Sequence, residues 1–170
     1  MDKSSGGSGA STLLQELIER DHTRDMACHA VQGVVSQGAR IYTLDGVLPV
    51  EFLGPGDRIV TRSGARVLRE LRYVDYVGPL IHVAPGALGH DRPGAPLLMH
   101  PEARLLLRDW RCEVIYGAKE ALVQASALVD GQYVTSMQGR ARLFHLTFDT
   151  PEVITVDGVE VAMAPETVRV

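Results

Sequence analysis

No asparagine occurs anywhere in the 170-residue chain, so no reaction that needs an asparagine side chain can run on it. Only two cysteines are present, Cys28 and Cys112. They are too few for a disulfide framework and lack the close spacing of a metal motif, which fits a reducing compartment. Apolar runs such as Leu97 to Met99 and Leu105 to Leu107 fall far short of the ~20 residues a membrane-spanning helix needs. Neither sign of charge dominates: 17 basic against 21 acidic residues leave a net charge of −4. That field is too weak to draw the chain onto phosphate backbones or anionic lipid. The first ten residues also lack the charged-then-apolar order of a secretory signal. These absences point to a cytoplasmic protein with no nucleic-acid and no membrane partner, with signal-independent secretion left open.

What is present suits one domain with a sizeable core. Residues 1–10 are polar and glycine-rich and read as a flexible leader. Over 11–33, Leu13, Leu14, Leu17 and Ile18 recur at helical spacing behind Ser11 or Thr12 as N-cap. That pattern predicts an amphipathic helix and a second short one over 26–31. From Gly38 onward the pattern becomes short β-branched and aliphatic runs separated by Asp-Gly, Gly-Pro-Gly-Asp and Ser-Gly turns. Strands are expected over 40–44, 58–62, 69–76, 80–83, 103–107, 112–116, 133–137, 143–148, 153–156 and 159–163. The fold class is therefore mostly β. Two internal echoes suggest duplication. Thr43-Leu44-Asp45-Gly46-Val47 recurs as Thr155-Val156-Asp157-Gly158-Val159, and Leu53, Gly56 and Ile59 find counterparts in Leu128, Gly131 and Val134.

The run from Gly38 through Asp45-Gly46, Val50-Glu51 and Gly54-Pro55-Gly56-Asp57 to Thr61 resembles the opening of a Hint domain, the fold of Hedgehog autoprocessing domains and inteins. Pro101, Gly117, Leu128 to Gly131, His145-Leu146, Phe148-Asp149 and Glu152 to Ile154 follow in the order of that family's stand-alone bacterial branch. The resemblance covers roughly 34–165. It implies a compact, pseudo-twofold, horseshoe-shaped β domain, here 34–170, and an N-to-S acyl shift. In that reaction a cysteine or serine opening the domain attacks the preceding carbonyl, and a mid-domain histidine assists.

At the positions the resemblance assigns to this chemistry the chain departs from the family. Val34 stands at the nucleophile, Ala103 at the motif histidine and Pro151 at the histidine before Glu152. Without asparagine, the cyclisation that ends protein splicing has no substrate in this chain. The expected function is a degenerate Hint domain acting as a non-catalytic binding or scaffold module. Its protein partner is met by the Leu13, Leu14, Leu17, Ile18 stripe, unless that stripe packs on its own domain. The rival is residual autoproteolysis, an N-terminal acyl shift and cleavage, using Ser36 and His145.

Other pairings are weaker. Cys28 and His29 are adjacent and do not face each other on a helix. His82, His90 and His100 with Asp91 or Cys112 could bind zinc but match no compact ligand motif. No metal and no cofactor are expected. Arg62, Arg66, Arg69, Arg72, Arg104, Arg108 and Arg111 around Trp110 read as the charged face of strands rather than a nucleic-acid patch.

Overall fold

Strict alternation of outward and inward side chains shapes the central strands. In β2 (Arg40–Thr43) and β4 (Arg58–Thr61) every second residue is buried, with Ile41 and Ile59 wholly enclosed. A computed structural model describes residues 33–163. The leader over 1–10, the helices expected within 11–33 and the Cys28-His29 pair lie outside the described residues. None of the described helices is long and apolar enough to cross a membrane.

The other strands are β1 (Val34–Ser36), β3 (Gly46–Pro49), β5 (Gly64–Val67), β6 (Glu70–Val83), β7 (Leu97–Met99), β8 (Arg104–Leu107), β9 (Ala121–Gln124), β10 (Val134–Thr147), β11 (Glu152–Val156) and β12 (Val159–Met163). They form two sheets, one in the order β1-β10-β6-β7 and one in the order β3-β2-β4-β11-β12-β8-β9, with β5 on β4. Ile41, Ile59, Leu68, Ile81, Leu105, Leu146, Ile154 and Met163 make up the core.

The first sheet is bent back on itself. β6 and β10 pair along all 14 residues, with Gly78 opposite Gly139 near the middle. β1 joins the ribbon at Leu143, opposite Ser36, and β7 joins it at His82, opposite Thr135 and Leu98. Eight residues of extended strand between Thr135 and Leu143 measure about 26 Å. Ser36 Oγ nevertheless donates to the Leu98 carbonyl at 2.8 Å, so the ribbon curls until its two ends meet. The sequence breaks this ribbon at Gly78-Pro79 and near Gly139, giving separate strands over 69–76 and 80–83 and over 133–137 and 143–148. The structure runs through both. At Pro79 β6 has no second neighbour among the described strands, and a proline is tolerated on such an edge.

Pseudo-twofold architecture is written in the backbone hydrogen bonds. Ala39 N–H donates to Ser36 O and Val50 N–H to Ala39 O; correspondingly, Ala103 N–H donates to His100 O and Ala125 N–H to Ala103 O. Each half runs through a hairpin into a 3-10 turn, Val50–Phe52 or Ala125–Leu128, then a positive-φ glycine, Gly56 or Gly131, and a strand. The echo of Leu53, Gly56 and Ile59 in Leu128, Gly131 and Val134 is therefore structural. The Asp-Gly echo is not. Thr43 faces Gly46 across a Leu44-Asp45 turn, whereas Val156 faces Val159 across Asp157-Gly158, whose φ angles are 49° and 87°. The local counterpart of Thr43-to-Gly46 is Thr61-to-Gly64. In both, the threonine hydroxyl donates to the glycine carbonyl at 2.7 Å and accepts an amide two residues on.

One expected strand is a helical turn. Cys112–Tyr116 forms a single π turn, with Ala118 N–H bonded to Cys112 O and Gly117 left-handed at φ 65°. Its β-branched composition suggested a strand. The Asp109 side chain holds Arg111 N–H at 2.9 Å and its carbonyl holds Cys112 N–H, which starts a helix instead.

Candidate functional site

β1 places its three residues by strand alternation. Val34 is the Cα partner of His145, and Val35 that of Phe144. Val35 packs with Phe144 and Leu146 in the main core, so Val34, Ser36 and His145 share the opposite face of the sheet. Val34 is 3% exposed and offers His145 only methyl groups. Ser36, diagonal to His145, is 5% exposed, and its proton is held by the Leu98 carbonyl. It also lines a groove of about 250 Å³ with Arg40, Pro96, Leu98 and Asp157. Val34, Ala103, His145 and Pro151 do not line that groove.

Ala103 and Pro151 immediately precede β8 and β11 of the other sheet. The Leu105–Val161 register, continued by two residues, sets Ala103 opposite Met163, and Met163 pairs with Glu152, the neighbour of Pro151. Ala103 is completely buried. His100, the pseudo-symmetric mate of Ser36, sits three residues before it. Its Nδ1 accepts the Glu102 amide at 3.2 Å, and its ring meets Tyr76 edge-on at 5.0 Å. Burial pushes the His100 imidazole below its ordinary pKa, and the nearby Glu102 charge only partly offsets this.

The best-organised polar group is one the sequence did not single out. Glu152, 4% exposed, accepts hydrogen bonds from Ser63 Oγ, Arg66 Nε at 3.1 Å and Thr150 Oγ1 at 2.8 Å, and its Oε2, 3.0 Å from Thr61 Oγ1, shares that hydroxyl's single proton with Gly64 O. This carboxylate pins the start of β11 to the β4–β5 hairpin. The hint available in sequence is two hydroxyls, Thr61 and Ser63, at the turn that β11 must meet.

The arginine-rich stretches pair internally: Arg62 with Glu120 and Glu160, Arg66 with Glu152, Arg69 with Asp149, Arg72 with Glu70, Arg108 with Glu160 and Arg111 with Asp109. No three His, Cys, Asp or Glu side chains come together to hold a metal among the described residues. His90, beside Asp91, is 97% exposed, whereas Cys112 is buried.

The family model of the Hint domain matches residues 35–164. Among solved structures, the bacterial intein-like domain from Clostridium thermocellum is 14% identical and superposes with a TM-score of 0.57, over 77% of this chain and 97% of that one. The TvoVMA intein is 13% identical at a TM-score of 0.53, over 76% and 97% of the two chains. The DnaB intein from Synechocystis sp. PCC 6803 is 10% identical at 0.52, over 77% and 98%. No curated protein matches the chain in sequence. The structural likeness gives the fold, and the family match spans most of the chain within that same doubled β architecture: this chain belongs to the Hint domain family.

Proposed function

We propose that this Hint domain is a non-catalytic binding or scaffold module whose self-processing chemistry has been lost. One observation carries the reading: the residue facing His145 across the sheet is Val34, which has no nucleophilic atom. An acyl shift needs an activated nucleophile, a proton donor for the leaving nitrogen and donors for the oxyanion. Valine, alanine and proline at 34, 103 and 151 provide none of these from a side chain. The ligand is a protein partner, with no cofactor, metal, nucleic acid or membrane involved. The Leu13, Leu14, Leu17, Ile18 stripe is available either to that partner or to the domain's own surface.

Residual cleavage is the second reading, favoured by the shared face of Ser36 and His145. Against it stands the Ser36 hydroxyl, which already donates to Leu98 O and lacks the hydrogen bond to a base that activates a serine. The test restores the missing groups. The triple variant Val34→Cys, Ala103→His, Pro151→His should show thiol-dependent scission before residue 34, while the unmodified chain stays whole. A triple variant as inert as the parent would remove these three positions from the account.

A further inference from the structure

The second sheet turns an apolar face outward at one end. In β2 and β4 the inward residues Ile41, Thr43, Ile59 and Thr61 are buried, and the outward ones are exposed. Register sets Tyr42 opposite Val47, and the Thr43–Ile59 pairing continues to bring Val60 alongside, with Ala65 beyond it. A row of four apolar side chains thus crosses β3-β2-β4-β5. Leu44, Arg58 and Val67 form the next row. Tyr42, Leu44, Val47, Val60 and Val67 are 39%, 51%, 47%, 38% and 37% exposed. The outward face of an antiparallel sheet is ordinarily polar, and contiguous apolar surface of this kind marks a contact site.

The other end of the same face is closed. Leu106, Val153 and Ala162 are buried there, beneath an ion-pair network of Arg62, Arg108, Glu120 and Glu160 whose aliphatic stems cover apolar atoms. The exposed end has Arg58 in its middle, and Arg58 has no carboxylate partner among the described residues. Its complement is in the sequence. The stripe Leu13, Leu14, Leu17 and Ile18 is flanked by Glu16, Glu19 and Asp21 against one arginine, Arg20, a net negative balance over residues 11–23.

We propose that the outer face of β3-β2-β4-β5 is the docking surface for this chain's own residues 13–18, with Arg58 meeting the acids beside the stripe. The tether is long enough. Tyr42 is nine residues beyond Gly33 and so within roughly 32 Å of it, and the stretch from Ile18 to Gly33 spans up to roughly 50 Å when extended. Tethering raises the effective concentration of the stripe to about the millimolar range. A second copy docked face to face about a twofold axis would set Arg58 against Arg58, a like-charge contact. A partner protein that uses this face must displace the stripe, so docking here is autoinhibitory toward binding. The assignment stands whether or not the chain cleaves itself.

The test places the photo-crosslinker benzoylphenylalanine at Val60, and separately at Val47, in the full chain, followed by irradiation, digestion and mass spectrometry. Both variants should give an adduct of monomer mass joined to the peptide containing residues 13–18. That adduct should be lost on Leu17→Asp and reduced several-fold on Arg58→Glu. Adducts of dimer mass, adducts joined to other segments, or no adduct from either position would overturn the proposal.

Discussion

Replacing Glu152 tests whether the motif carboxylate is a structural fastener. Its Oε2 receives the Ser63 hydroxyl and a share of the Thr61 proton that also serves Gly64 O, and its Oε1 receives Arg66 and Thr150. Hydrogen bonds to a charged acceptor contribute about 1.5–3 kcal/mol each, but the losses do not simply add. Thr61 Oγ1 keeps its bond to Gly64 O at 2.7 Å, and the Arg66 side chain, 45% exposed, regains water, so its ion pair counts for under about 1 kcal/mol. Glu152→Ala should therefore destabilise the fold by about 3 kcal/mol. Glu152→Gln should cost about 1 kcal/mol. The amide nitrogen can sit toward the two hydroxyls, which rotate to accept from it, while the oxygen keeps Arg66 and Thr150. The assay is urea unfolding followed by circular dichroism, with an Arg66→Ala double-mutant cycle whose coupling stays below about 1 kcal/mol. A Glu152→Ala loss below about 1 kcal/mol, or a glutamine variant as damaged as the alanine one, would refute the reasoning.

Three further outcomes follow from the same contacts. Ser36→Ala removes the bond that closes the curled ribbon and should cost about 1 kcal/mol in urea unfolding; an unchanged midpoint would show that the bond holds nothing together. Gly158 has φ +87°, and a Cβ there would stand 2.8 Å from Asp91 O, so Gly158→Ala should destabilise by about 2 kcal/mol or more from left-handed strain plus the clash. Burial holds the folded-state pKa of His100 below its unfolded value, so the unfolded chain takes up the proton first. This contribution to stability is complete above about pH 6.5 and is lost as pH falls below that value. Urea midpoints between pH 7 and pH 5 should drop less in His100→Gln than in the parent, and equal slopes would exclude this histidine as the cause.

Alternation made the central strands readable. Arg40 to Thr43, Arg58 to Thr61 and Val159 to Met163 carry period-2 patterns with Asp-Gly or Ser-Gly turns beside them. The three-residue β1 owes its form to β10, more than 100 residues further along the chain, and no local pattern announces it, whereas β5 and β9, of four residues each, pair with the preceding strands β4 and β8. Cys112–Tyr116 misleads for the opposite reason, since β-branched residues sit in a turn started by Asp109 and ended by Gly117. Val34, Ala103 and Pro151 were singled out by family spacing alone. What it did not convey is the bend that brings Ser36 to Leu98, or the way Thr61, Ser63 and Arg66 converge on Glu152, because both depend on contacts more than 60 residues apart.

The most direct measurement of the central claim is intact mass spectrometry of the full chain with a folded tag before Met1 and a peptide tag after Val170, incubated with and without thiol or hydroxylamine. The account predicts one unchanged full-length mass under every condition. A new pair of masses from scission within Val34 to Gly38, abolished by Ser36→Ala, would contradict it and establish a surviving acyl shift.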